Sequence, residues 1–101
     1  MDDDKSNESN ESNNSNDNSL LEFPCEFPIK MMGHDREAFH ATARAIIEQH
    51  AGAIDDNAIR LAASRNGRFV SMTVTIHAES RQQLDAIYVD LSDSDEILVA
   101  L

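Results

Sequence analysis

A chain of 101 residues with a formal net charge of -11 has room for one domain, and its acidity disfavours polyanion binding through a general basic field, because neutralising phosphates needs clustered Lys and Arg. The lone cysteine, Cys25, excludes an intramolecular disulfide and fits a reducing compartment. No apolar run reaches the length of a signal peptide or membrane span, so the expected address is the cytoplasm, with neither membrane nor nucleic acid as partner.

Residues 1–19, MDDDKSNESNESNNSNDNS, offer no apolar side chain after Met1. Such a stretch cannot bury enough surface to offset the entropy of ordering it, so a disordered acidic Ser/Asn-rich tail is predicted, with the folded domain over residues 20–101. Both parts are acidic: residues 1–22 hold seven of the nineteen acids and one of the eight bases.

In EFPCEFPIKMMG, Phe23, Cys25, Phe27, Ile29 and Met31 alternate with Pro24, Glu26, Pro28, Lys30 and Met32, the period of a strand with one apolar face. The prolines cannot donate ladder hydrogen bonds, which places the regular strand from about Phe27 to Gly33. Over residues 36–50 the period becomes helical, with Phe39, Ala43, Ile46 and Ile47 on one stripe and Arg36, His40, Arg44 and Glu48 opposite. Asp35 is the expected N-cap and Gly52 the stop, with His50 set to face the last carbonyls.

AIRLAASRNGRFVSMTVTIHA reads as two extended runs around Asn66-Gly67, the sequence of a type I′ hairpin turn. Val70, Met72, Val74 and Ile76 then face the core, and Arg65 and Arg68 are solvated charges at the tip. SRQQLDAIYVDL opens a second helix with Ser80 and Gln83 spaced as a capping box and Leu84, Ile87, Tyr88 and Leu91 as the buried stripe. ILVAL, residues 97–101, closes the chain as an apolar strand. The order predicts an α+β, ferredoxin-like βαββαβ sandwich with two helices on one face of a four-stranded antiparallel sheet.

Two segments, LLEFPCEFPIKMMG (residues 20–33) and SRNGRFVSMTVTIHAESRQQLDAIYVDL (residues 64–91), resemble the YbeD-like family of small bacterial proteins, also called the domain-of-unknown-function 493 or UPF0250 family. The resemblance spans nearly all of residues 20–101. It implies a ferredoxin-like fold similar to ACT-type regulatory domains, a cytoplasmic location and no established activity. Members are often encoded near lipoate-attachment genes, which implies a link to that pathway. The chain departs from the family pattern in its long tail and at Asn66 and Arg68, where Lys and Asn are more usual.

The chemistry is sparse. His34, His40, His50 and His77 lack zinc-site spacing, and neither a Gly-x-Ser-x-Gly elbow nor a Gly-rich phosphate loop occurs, so no catalytic residue, metal or cofactor is assigned. Cys25 reads as a small core hydrophobe. RNGRFVSM echoes an RNA-binding motif, but Gly67 and Met72 stand where aromatics should stack on bases.

The ligand candidate is GHDRE: Gly33, His34, Asp35 and Arg36 lie at the expected helix N-terminus, which attracts anions and which ACT-type domains use for small ligands. Asp35 and Glu37 would repel a phosphate there, leaving capping as the first reading and an amine-bearing ligand as the open one. Met32, Leu98 and Ala100 are expected to share the open sheet face and support a weak homodimer. The function predicted is a non-catalytic, ACT-like regulatory module binding a partner protein or a small metabolite. The alternative is a small acylphosphatase-type hydrolase.

Overall fold

The computed structural model describes residues 21–101, and the expected disordered tail over residues 1–19 lies outside them. The chain runs β1 (Cys25–His34), α1 (Glu37–Ala51), a 3-10 turn (Asp56–Ala58), β2 (Ile59–Ala63), β3 (Phe69–Ala78), α2 (Arg81–Asp93) and β4 (Val99–Ala100). The strands form one antiparallel sheet in the order β2-β3-β1-β4, the ferredoxin-like arrangement that the element order predicts. Ile29 and Met31 of β1 and Val70, Met72, Val74 and Ile76 of β3 meet Phe39, Ala43 and Ile47 of α1 and Leu84, Ile87 and Leu91 of α2 in a single core. Each of these large side chains contributes about 1.5–3 kcal/mol by leaving water.

β1 is longer than the prolines suggest, pairing with β3 from Cys25↔Ala78 to His34↔Phe69. Backbone bonds explain why. The Lys30 amide and carbonyl bond Leu101, and the Met32 carbonyl accepts from Leu98, so even-numbered residues of β1 point their polar groups toward β4. β4 covers only Met31 and Met32, so Pro24 and Pro28 sit where no neighbour needs an N–H.

The hairpin tip differs from the expected two-residue turn. The Gly67 amide donates to the Ser64 carbonyl (3.0 Å), and the Ser64 amide to the Phe69 carbonyl (2.8 Å), so the turn centres on Arg65-Asn66. Gly67 follows at φ +76. Asn66 Oδ1 accepts from the Arg68 amide (3.1 Å) and the Ser64 hydroxyl (3.0 Å), a side-chain turn that competes successfully with type I′.

The helix ends also depart from expectation. Arg36, not Asp35, is the N-cap of α1, and no side chain caps it. His50 leaves its own carbonyls and meets Asp90 of α2 (Nε2 to Oδ2, 2.6 Å), while Gln83 Nε2 donates to the His50 carbonyl (3.0 Å). These bonds tie the two helices together. Half of the predicted capping box forms: Ser80 accepts from the Gln83 amide (3.1 Å), but Gln83 Oε1 takes the Glu79 amide instead (2.7 Å).

In the last strand Ile97 is buried as expected, and then the alternation slips. The Leu98 amide donates to the Met32 carbonyl although Val99 is the register partner of Met32, so two residues oppose one in a bulge. Ala100 consequently packs against the core, whereas Val99 and Leu101 are exposed.

Candidate functional site

The β1–α1 turn holds the four residues singled out for a ligand. Gly33 is buried, and a Cβ there would lie 2.3 Å from Phe39 Cδ1 and 2.7 Å from the Glu96 carbonyl, so glycine is required for close packing and is closed to a ligand. The ladder continues one residue past β1, with the Asp35 amide donating to the Arg68 carbonyl (3.0 Å). His34 rests on Phe69, ring centroids 4.9 Å apart. The Asp35 carboxylate meets His40 Nε2 (3.1 Å) rather than the helix amides. Arg36 makes a two-point bond to Glu96, Nε to Oε1 at 3.2 Å and Nη2 to Oε2 at 3.1 Å. Both charged side chains of the turn therefore have partners within the fold.

The polar stripe of α1 is likewise engaged. Arg44 bonds Glu48 (3.2 Å), Asp56 (3.1 Å) and the Ile54 carbonyl (2.8 Å), and these carboxylates, Glu48 first, hold its guanidinium above even the ordinary arginine range. Beside it His40, Arg44 and Asp56 with Ile59, Leu61 and Met72 line a cavity of about 290 Å³ under the β2 edge.

The opposite side of the sheet is different. Register places Arg60, Thr73 and Lys30 in one row across β2, β3 and β1, with Ala62, Ser71, Met32 and Val99 in the next. A shallow concavity of about 450 Å³ is lined by Lys30, Arg60, Leu61, Ala62, Ser71 and Thr73. Whereas Arg36, Arg44 and Arg81 pair with carboxylates, Lys30, Arg60, Arg65 and Arg68 are exposed and form no ion pair among the described residues. On the open side of β1, β2 and β3 the carboxylate is Glu26, at the far end, and His77 meets it at 3.2 Å.

The sequence does not single out Lys30 as part of this basic row. Its place on the outward phase of β1 was readable, but its alignment with Arg60 depends on two strand registers. The apolar edge expected from Met32, Leu98 and Ala100 keeps Met32 and Leu98, both exposed, and replaces Ala100 with Val99 and Leu101. Cys25 is a half-buried free thiol packed against the core. Among the described residues, no charged side chain is fully buried, no group of three His, Cys, Asp or Glu is placed to hold a metal, and no helix is long and apolar enough to cross a membrane.

Sheet order and helix placement define an α+β domain of the ferredoxin-like class with one uncovered sheet face. The fold is shared with the solution structure of protein HP0495 from H. pylori, at a TM-score of 0.66 and 16% identity over 80% of this chain and 85% of that one. Residues 18–101 match the family described as "Protein of unknown function (DUF493)". A UPF0250 protein of Nitrosomonas europaea is 40% identical over 85 residues, 84% of this chain and 98% of the relative. One from Azotobacter vinelandii is 42% identical over 82 residues, 80% and 89% of the two chains. The chain belongs to the DUF493 (UPF0250) family, whose function is uncharacterised.

Proposed function

We propose that the protein is a non-catalytic, ACT-like regulatory module that binds an anionic partner, an acidic protein segment or a small carboxylate or phosphate metabolite, on its open sheet face. The observation that carries this reading is the partition of cations in an acidic chain. Those on the helix side are matched by carboxylates, while Lys30 and Arg60 have no ion-pair partner among the described residues and face each other across Thr73 on the bare face. Two like charges on strands flanking β3, about 10 Å apart, would both attract an anion seated between them over Thr73. Hydroxyls of Ser71 and Thr73 add donors that suit carboxylate or phosphate oxygens, and Met32 and Val99 form an apolar ledge beside them. The pathway link implied by the family resemblance makes lipoate-attachment proteins the first partners to try.

The acylphosphatase-type reading loses support at the β1–α1 turn, where Glu96 occupies the arginine that would hold a phosphate. The test is affinity capture from the native host with wild type, Lys30→Glu/Arg60→Glu and Arg36→Ala. A discrete partner retained at low salt, lost with the double reversal and kept with Arg36→Ala supports the reading. Retention that survives the double reversal, preference for single-stranded RNA, or Arg36-dependent hydrolysis of acetyl phosphate would each contradict it.

A further inference from the structure

The two edges of the sheet are built differently. β4 is two residues long and bulged at Leu98-Val99, features that blunt an edge. β2 is five residues, unbulged, without Pro or Lys, and Leu61 on it is 55% exposed. The Ser64 amide bonds the Phe69 carbonyl, and the register then makes Ala62↔Ser71 and Arg60↔Thr73 the hydrogen-bonded pairs toward β3. The N–H and C=O groups of Leu61 and Ala63 and the C=O of Ile59 therefore point outward along the free edge, while the Ile59 N–H donates to the Asp56 carbonyl.

We infer that this edge pairs with a second copy of the chain, β2 against β2 antiparallel about a two-fold axis at Leu61, joining two sheets into one. This register sets Leu61 opposite Leu61 of the second copy and Ile59 opposite Ala63, so both outward groups of Leu61, the Ala63 N–H and the Ile59 C=O find partners. Shifting the axis by one residue to Arg60 would place like charges directly opposite each other in a close pair and set Ala63 against the 3-10 turn of the second copy rather than against its strand. The Leu61 axis leaves the two Arg60 side chains diagonal, each across from Ala62. It also brings Asp55, just before the 3-10 turn of one copy, toward Arg65 and Arg68 at the hairpin tip of the other, which have no ion-pair partner among the described residues. The paired Leu61 side chains close the mouth of the cavity lined by Ile59, Leu61 and Met72. One short strand pair buries little area, so the dimer is weak.

Hydrogen-bond parity gives the test. Proline at residue 63 removes an outward N–H and leaves the bonds to β3, so Ala63→Pro keeps the fold and blocks pairing. Sedimentation equilibrium on the full chain, from micromolar to millimolar, should show wild type approaching twice the monomer mass. Ala63→Pro and Leu61→Lys should each weaken association at least tenfold with unchanged circular dichroism, and Leu98→Lys should not. Should Ala63→Pro fail to fold, Leu61→Lys alone decides. A wild type that stays monomeric at millimolar concentration overturns the inference, as does a dimer lost with Leu98→Lys and kept with Leu61→Lys.

Discussion

Gly33 and Gly67 resist substitution for opposite reasons. At Gly33 a methyl group would enter the space of Phe39 and of the Glu96 backbone, so Gly33→Ala is expected to cost about 1–3 kcal/mol by overpacking, read as a lower midpoint in urea unfolding. At Gly67 nothing lies within 4 Å of the added carbon and the backbone at φ +76 is the obstacle. Gly67→Val should cost roughly 1–2 kcal/mol, while Arg68→Ala, whose side chain is exposed and without an ion-pair partner among the described residues, should cost little. The hairpin was legible because Asn-Gly announces it locally, although its turn centres one residue earlier, on Arg65-Asn66; the packing of Gly33 was not, because Phe39 and Glu96 meet it only in the fold. Tyr88 is the single tyrosine, its hydroxyl donates to the Leu101 carbonyl (2.6 Å), and burial pushes its phenol pKa up. Folding favours the neutral phenol, so this stabilisation is complete below the unfolded pKa of about 10 and is lost as pH climbs through the higher folded value. Phenolate absorbance should therefore titrate higher in the native protein than in denaturant, and coincident curves would contradict the burial.

Elements were legible where one period ran uninterrupted and illegible where two segments had to meet. The alternation over residues 69–78 and the helical stripes of Phe39, Ala43 and Ile47 and of Leu84, Ile87 and Leu91 predict the observed faces. The prolines of β1 misled because the shortness of β4, which makes them harmless, is a fact of sheet topology. The slip at Leu98-Val99 depends on register with Met32, and no pattern in ILVAL signals it. His50 was assigned to its own helix end because its partner is forty residues away. The pair is part-exposed, so a His50→Ala, Asp90→Ala double-mutant cycle should give a coupling of about 0.5–1 kcal/mol between α1 and α2. Additive effects would show that the bond contributes nothing to helix docking.

At the scale of the whole molecule, the fold and the family were readable in the sequence, whereas the proposed surface was not. GHDRE drew attention because helix N-termini bind anions, yet Arg36 and Asp35 are held by Glu96 and His40. The face with unmatched cations emerges only when Lys30 and Arg60, thirty residues apart in sequence, are laid beside Thr73 by two registers. The open sheet is the proposed binding surface. Its most direct test is amide chemical-shift mapping of the full chain during titration with a glutamate-rich peptide of about ten residues. Binding to the open face predicts shifts clustered at Lys30, Arg60, Ser71 and Thr73, fading with added salt and abolished by Lys30→Glu/Arg60→Glu. Shifts centred on Gly33, His34, Asp35 and Arg36, or none at low salt, would contradict it.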